Sequence, residues 1–530
     1  MQSEVTGTFD KHGNDSWAYD QRGLDFVARD QYGYNHSIKH KIFANKSRKK
    51  FQRIILKAGA SDNYPFEGQA NTSYPGEYGG AHIRDAYVAA LSQDGDLLLD
   101  ERTYDACILY VNGQYWGVYE SREKVDDNDF TDYYYNQDEQ YNESPNYIQY
   151  LKTWGNTWEK FGQPNAQNDW DALVTYITTN NMAIPANFAN VQSQYKWKSL
   201  IDYVVLNSYI VSHDMLNYNT AWWRGLDTAG SKLKWRYTLW DMDATFNHYT
   251  NYTGTPNTGS NADPCDVDNL GDPGGQGHIP ILNALMANPT FNQYYISRYI
   301  DLSNTTFKCT NMIRVLDSLV NIISPEMPGQ INKWGGTMTE WNQNVQDLRT
   351  FINARCTDIN QGLTNCYNVT GPFPIDINVN PIGAGEVQVN SITPTNYVYS
   401  GNYFGNIDIL LKATDNPGYT FDHWEIFNHT LDSITTNRNN SVQISQGDSI
   451  IAHYILVGDT VNLTFDVTPV GGVDISIDGF TPAAYSYSNI YPENSTLSLV
   501  ATPQVGFVFD YWESTAAIAS VFTPNINDPN

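Results

Sequence analysis

Residues 212–246 read SHDMLNYNTAWWRGLDTAGSKLKWRYTLWDMDATF, and oxygen-bearing side chains punctuate the run. Asp214 comes first, Asn219 follows five positions on, and WDMD supplies Asp241 and Asp243. Just upstream, Leu200, Ile201, Val204 and Val205 have the spacing of a helix with one face in a core, a helix that runs out at His213-Asp214. After Asn219 come Ala221-Trp222-Trp223-Arg224 and a turn at Asp227–Ser231. A return strand then alternates Leu233, Trp235, Tyr237 and Leu239 with Lys232, Lys234, Arg236 and Thr238. A hairpin returns its ends to within roughly 5 Å of each other, so the groups flanking it converge. An acid that orients a hydroxyl, followed by two hard oxygen ligands for Mg²⁺, is what phosphoryl transfer requires. The spacing D-x-x-x-x-N, then a hairpin, then an aspartate is the order found in protein kinases. Loops also use Asp and Asn freely as turn caps. Against that plainer reading stands WDMD, because two carboxylates beside a tryptophan are costly to bury without a metal or donors.

Composition narrows the field. The 530 residues suffice for two or more domains with real cores. A net charge of −27 excludes nucleic acid and anionic membranes as natural partners, since both need the opposite sign. With 38 Tyr and 14 Trp the chain is no disordered polymer. No window approaches 18 apolar residues, so no transmembrane helix is expected, and no signal-peptide pattern follows Met1. The chain reads as a fragment of a longer protein. Five cysteines show no CxxC spacing and argue against a zinc ribbon. Cys356 with Cys366, and Cys265 with Cys309, are spaced to close two loops, leaving Cys107 in a strand; the alternative is five free thiols.

Residues 1 to about 130 read as strand-rich α+β. Leu24, Phe26 and Ala28 alternate with Asp25, Val27 and Arg29, FQRIILKA (51–58) is a second strand, and Asn112-Gly113 marks a hairpin. GGAHIRDAYVAALSQD reads as an amphipathic helix with Ile83, Tyr87, Ala90 and Leu91 on one face. Residues 131–370 read as mainly helical, completing the two-lobed plan of a kinase-like domain over 1–370. Beyond 375 helical spacing stops and an internal repeat begins. NVNPIGAGEVQVN (378–390) matches DVTPVGGVDISID (466–478), and LKATDNPGYTFDHWE (411–425) matches LVATPQVGFVFDYWE (499–513), both at an offset of 88. These are two small all-β modules, 375–457 and 461–530, the second cut short. They resemble the internalin B-repeats that trail many secreted bacterial surface proteins. Trp424 and Trp512 read as core residues rather than sugar platforms.

The 212–246 stretch also resembles the spore-coat CotH kinase-like family of atypical secreted or surface protein kinases, and the resemblance extends over most of residues 5–310. HGNDSW, with Gly13, resembles that family's glycine-containing loop. LKAGASDNYPF with HIRDAYVAAL resembles its segment ending in an Arg-led helix, and VNGQYWGVYESREKVDDNDF its N-G-x-x-x-G-x-Y hairpin with E-K-[VI]-D. The resemblance implies an enzyme using ATP with Mg²⁺ or Mn²⁺ on Ser or Thr hydroxyls of a protein. Asp214 is then the catalytic acid/base, Asn219 and Asp241 are metal ligands, and Asp243 either supports those ligands from behind or partners a second metal. One departure stands out: the lysine expected after the glycine-containing loop is Arg22, a rigid fork rather than a flexible point charge. Lys57 in the next strand is a possible substitute, and Glu123 with Lys124 could line the nucleotide cleft or form a plain ion pair.

Three further readings remain open at this level. NADPCDVDNLGDPGGQGH (261–278) occupies an activation segment's place and reads as a flexible substrate-facing loop in preference to a calcium site at Asp266, Asp268 and Asp272. His213 orients Asp214 or merely finishes the helix. Against the kinase reading stands a catalytically silent surface or matrix scaffold that binds cell-surface components through the β-repeats, favoured by the Arg22 departure. Glycan binding, resting only on aromatic richness, is a third and weaker reading.

Overall fold

A computed structural model describes residues 4–513 apart from 14–16, 18, 34, 66–78, 138–146, 163, 494–495 and 505. Contacts divide the chain into two units, Met1–Tyr367 and Asn368–Asn530.

In the first unit, β1 (Gly7–His12), β2 (Gly23–Ala28) and β3 (Arg53–Lys57) precede helix α1 (Arg84–Asp94). The short β4 (Asp100–Glu101) and the hairpin β5 (Tyr104–Val111)–β6 (Gln114–Glu123) follow. Five of these strands form a sheet in the order β1-β2-β3-β6-β5. The β5–β6 turn is tight because Asn112 and Gly113 both take positive φ, 51° and 76°, as the Asn-Gly pair predicts. Helix α1 departs from the amphipathic reading. It is buried on nearly every side, Arg84 and Asp85 included, because its charged residues are held in ion pairs rather than facing water.

The chain continues through α2 (Asn128–Tyr135), the hairpin β7 (Ile148–Trp154)–β8 (Asn156–Gly162), and helices α3 (Ala166–Thr179), α4 (Pro185–Gln194) and α5 (Trp197–Tyr209). Next come the hairpin β9 (Thr220–Gly225)–β10 (Arg236–Leu239) and helices α6 (His278–Leu285), α7 (Pro289–Asn304), α8 (Cys309–Ile323), α9 (Met327–Trp334) and α10 (Met338–Cys366). This part is not purely helical: it holds a second sheet, β4-β10-β9-β7-β8, in which β4 joins β10 in parallel. The return strand of the predicted hairpin is shorter than its alternation suggests. Leu233 lies outside β10 and is 41% exposed, and all four β10 residues are buried. Its polar face is buried too, since Arg236 reaches Asp100 at 3.1 Å.

The disulfides pair differently from the expectation: Cys265 bonds Cys366 and Cys309 bonds Cys356, leaving Cys107 free. Cys356 and Cys366 share helix α10, where ten residues span about 15 Å along the axis, so they cannot bridge each other. The 261–278 segment is stapled by the first of these bonds. Asp263 and Asp266 form a capping box, Asp268 accepts from the hydroxyls of Tyr295 (2.9 Å) and Tyr367 (3.0 Å), and Asp272 accepts from Gly277 N. With its carboxylates already engaged, the segment is neither the flexible loop expected nor an arranged calcium site.

The second unit begins with a complete module. Its strands are β11 (Thr370–Asn380), β12 (Gly385–Val389), β13 (Tyr399–Gly405), β14 (Ile409–Asp415), β15 (Tyr419–Ile426), β16 (Asn439–Val442) and β17 (Asp448–Leu456). They form two sheets, β13-β11-β17-β15 and β12-β14-β16. Trp424 is buried between them and donates to Asn437 O at 2.9 Å, the role of a core residue. In the second copy, β18 (Thr460–Phe465) pairs β20 (Tyr487–Pro492), and β19 (Val473–Ile477) pairs β21 (Leu499–Pro503). β19 repeats β12 at the same offset of 88. Residues 514–530 of the expected second module lie outside the described residues.

Candidate active site

Helix α5 is buried on almost all sides, and Arg298 closes a 2.7 Å ion pair on its Asp202. The helix ends abruptly because Val211 adopts a positive φ of 50°, a costly conformation for a β-branched residue. His213 then anchors the loop. Its backbone N–H donates to Ala244 O (2.9 Å) and its ring Nδ1 contacts Tyr249 O (3.2 Å), so it secures the segment rather than the carboxylate beside it. Burial pushes the imidazole below its ordinary pKa, which keeps it neutral. Leu216 (φ 68°) and Asn219 (φ 45°) turn the chain twice more before β9. The loop is fixed by Leu216 N–H donating to Thr220 Oγ1 at 2.8 Å.

Asn219 is the hinge of the arrangement. Its Nδ2 donates to Asp214 Oδ2 at 2.7 Å and to the backbone oxygen of Asp241 at 3.4 Å. Its carbonyl Oδ1 is buried and has no hydrogen-bond partner among the described residues. An orphaned buried amide oxygen, on a side chain bonded to the Asp214 carboxylate and to the Asp241 backbone, is a hard oxygen of the kind a divalent cation takes.

Asp241 also has a positive φ of 60°. The segment after it is stitched to the first sheet and α1. Met242 N–H donates to Asp85 Oδ1 (3.0 Å), and Ser61 N–H, just beyond β3, donates to Asp243 Oδ2 (2.8 Å). Lys57, the last residue of β3, donates to both Asp85 Oδ2 (2.6 Å) and Asp241 Oδ1 (2.7 Å). Burial alone would favour a neutral amine there. Asp241, Asp243 and Asp85 instead hold Lys57 above the ordinary lysine range. Asp85 is likewise buried, yet Arg122 and Lys57 hold it below the usual carboxylate range. Asp243 is pushed up to about 7, first by burial and then by Asp241 next to it, with Lys57 opposing.

Asp85 is placed by Asp62. The Asp62 carboxylate accepts from the backbone N–H of Ile83 and Arg84, each at 2.7 Å, and pairs with the Arg84 guanidinium, fixing the start of α1. Sequence reasoning did not single out Asp85, because an acid in the first turn of a helix ordinarily reads as a partner of the helix dipole. Its signal was the Arg-led helix following a lysine-bearing strand: a strand lysine paired to a helix acid is a device by which kinases hold their phosphate-binding lysine.

Gly13, Lys57, Asp214, Asp241 and Asp243 line one open cleft of about 190 Å³, which His12, Arg102, Trp154, Tyr218, Trp240 and Tyr252 also border. Asn219 lies directly behind Asp214 and Asp241. Two expected residues are not brought there. Arg22 is exposed, donates to Tyr19 O at 3.1 Å and packs over Trp17. Glu123 is buried in an ion pair with Arg48 (2.9 Å) and accepts from Tyr134, at the end of β6 remote from the loop. Asn14, Asp15 and Ser16 of the glycine-containing loop lie outside the described residues.

A sheet-bearing first lobe, a lysine–acid pair, and an Asp–Asn–Asp set on a helix-to-hairpin loop together define a kinase-like domain, followed by small all-β modules. The chain belongs to the CotH kinase protein family, whose model matches residues 35–358. Residues 375–457 match the divergent InlB B-repeat domain. Among solved structures, a proinflammatory kinase of Helicobacter pylori, CtkA, is similar at 8% identity with a TM-score of 0.20, covering 55% of this chain and 88% of that one. No curated protein matches the chain.

Proposed function

We propose that this chain transfers the γ-phosphoryl group of ATP to a Ser or Thr hydroxyl of a protein. The observation that carries the reading is the convergence of Lys57, Asp214 and Asp241 at one cleft, with Asn219 bonded to Asp214 and to the Asp241 backbone. Asp214 is half-buried and held by Asn219, which suits it to accept and orient the acceptor hydroxyl. Asn219 Oδ1 and the Asp241 carboxylate, 31% exposed, are the oxygens that would hold Mg²⁺ or Mn²⁺, with Asp243 behind them. Bound there, the metal would supply neutralising charge to the donor phosphates. Lys57, poised between Asp85 and Asp241, keeps a positive charge at the cleft.

Two disulfides among the described residues suit an oxidising compartment. Among those residues, no helix is long and apolar enough to cross a membrane. The disulfides support an enzyme working outside the cell or at its surface, with the β-modules engaging surface or matrix components. The test is transfer from labelled ATP, with Mg²⁺ or Mn²⁺, to the protein itself and to an acidic protein substrate. Asp214→Ala and Asp241→Ala are expected to lower transfer by about a hundredfold or more. Absence of both transfer and metal-dependent nucleotide binding in the wild type would overturn the reading and leave a kinase-shaped scaffold.

A further inference from the structure

The cleft has a wall whose charge the foregoing reading does not use. Arg102, immediately after β4, lines the cleft and is 2% exposed. Its Nη2 lies 3.8 Å from Asp126 Oδ1, and its guanidinium sits 5.4 Å from the ring centroid of Trp240, the residue preceding Asp241. Three lysines crowd the same Asp126 carboxylate: Lys152 at 2.8 Å, Lys124 at 3.8 Å and Lys160 at 3.9 Å. Lys152 is also pressed against the face of Trp240, 3.4 Å from its centroid. Of the protein's other acids, Asp25 engages Lys124 at 2.8 Å.

Four cations therefore crowd Asp126 behind the cleft, and Asp25, which relieves Lys124, is itself shared with Arg53 at 3.5 Å, in a chain whose net charge is −27. Three of the four are nearly or fully buried. Burying an uncompensated cation is costly, and an anion that completes the set removes the cost. The buried Arg102 Nε has no hydrogen-bond partner among the described residues, so a strong donor is left unused. His12, which also lines the cleft, registers the same field. Burial and then the charges of Arg102, Lys124 and Lys57 hold its ring well below the ordinary histidine range. Lys57, by contrast, is already paired with Asp85 and Asp241.

We propose that Arg102, backed by the Lys124–Lys152–Asp126 cluster, binds the non-transferred phosphates of the nucleotide donor in place of the exposed Arg22. The inference rests on the kinase reading above. A guanidinium fork matches phosphate oxygens bidentately, and its fixed position under Trp240 presents it preorganised. A phosphate already carried by the acceptor has the same chemistry, so the test is made on the nucleotide alone.

Calorimetric titration of the full chain with ATP, ADP and adenosine, in Mg²⁺, compares wild type with Arg102→Gln, Arg102→Lys and Arg22→Gln. Arg102→Gln is expected to weaken ATP about tenfold or more, with ADP weakened too and adenosine unchanged. Arg22→Gln is expected to leave ATP affinity within about twofold. Thermal unfolding of each variant accompanies the titration. Should Arg102→Gln fail to fold, Arg102→Lys keeps the charge beside Asp126 yet loses the fork, and is expected to bind ATP about threefold or more weakly. ATP affinity unchanged in the Arg102 variants, or lost instead in Arg22→Gln, overturns the proposal while the kinase reading stands. Equal weakening of adenosine and ATP overturns it as well, since Arg102 would then act only on the fold. Wild type that binds neither ATP nor ADP removes the kinase reading and the proposal together.

Discussion

Replacing Lys57 by Met and Asp85 by Asn, singly and together, measures the pair that joins the first sheet to α1. Lys57 and Asp85 have side chains 2% and 3% exposed and meet at 2.6 Å. Breaking an isolated buried pair costs about 3–5 kcal/mol. Neither partner is stranded here. Lys57→Met leaves Asp85 with Arg122 at 3.3 Å and the Met242 N–H at 3.0 Å, and Asp85→Asn leaves Lys57 with Asp241 at 2.7 Å. Each single change is therefore expected near the lower end, about 2–3 kcal/mol. The double variant should fall short of their sum by about 1–2 kcal/mol, as for residues in direct contact. Urea unfolding read by tryptophan fluorescence suits the measurement, because twelve of the fourteen tryptophans precede residue 368. Nucleotide turnover should separate the two residues from a purely structural role. Lys57→Met is expected to lower phosphoryl transfer about a hundredfold while the fold persists. Single effects that add to within about 0.5 kcal/mol would refute the pairing argument.

Three further outcomes are expected. Glu101 is pushed up to about 7, first by burial and then by Asp100, with Lys46 opposing. A raised carboxyl holds its proton in the folded state where the unfolded chain has lost it, so its contribution to stability is present at pH 5 and fades as pH rises through about 7. Glu101→Gln should therefore gain stability relative to wild type between pH 5 and 8, by at most about 3 kcal/mol; a pH-independent difference in urea midpoint would contradict this. Peptide mapping under non-reducing conditions should recover Cys265–Cys366 and Cys309–Cys356 and one free thiol, Cys107. Cys309→Ser with Cys356→Ser should cost on the order of 4 kcal/mol for the 47-residue loop it opens, and an unchanged thermal midpoint would refute that.

Much of the site could be read from the sequence because its logic is local. Asp214, Asn219 and Asp241 are spaced by one loop and one hairpin, and hairpins bring their flanks together wherever they occur. The β5–β6 turn was legible for the same reason: Asn112-Gly113 specifies it with two residues. What escaped depends on partners far along the chain. Asp85 acquires its role from Lys57 28 residues earlier and from Met242 157 residues later. Arg102 matters only because β4 docks beside β10, a parallel pairing of two residues that leaves no periodic trace. Cysteine pairing was missed because α10 runs unbroken to Cys366, which puts Cys356 and Cys366 on one helix. Charge alone misled at Arg22 and Glu123. A strand-end cation or acid looks the same in sequence whether it faces the cleft, water or another ion.

The Cys265–Cys366 bond has a mechanical consequence. Cys366 is the last residue of α10 and nearly the last of the first unit, so tension applied through the β-modules arrives at that sulfur before it reaches any helix behind it. The load then crosses the covalent bridge to Cys265, and the 100 residues between, α6 to α10, lie off the shortest covalent path. A pull on the modules would instead be borne by the chain before Cys265, where the loop of Asp214 and the Asp241 turn lie. Traction applied through the modules would be led by the bridge toward the cleft lined by Asp214 and Asp241 rather than along α10.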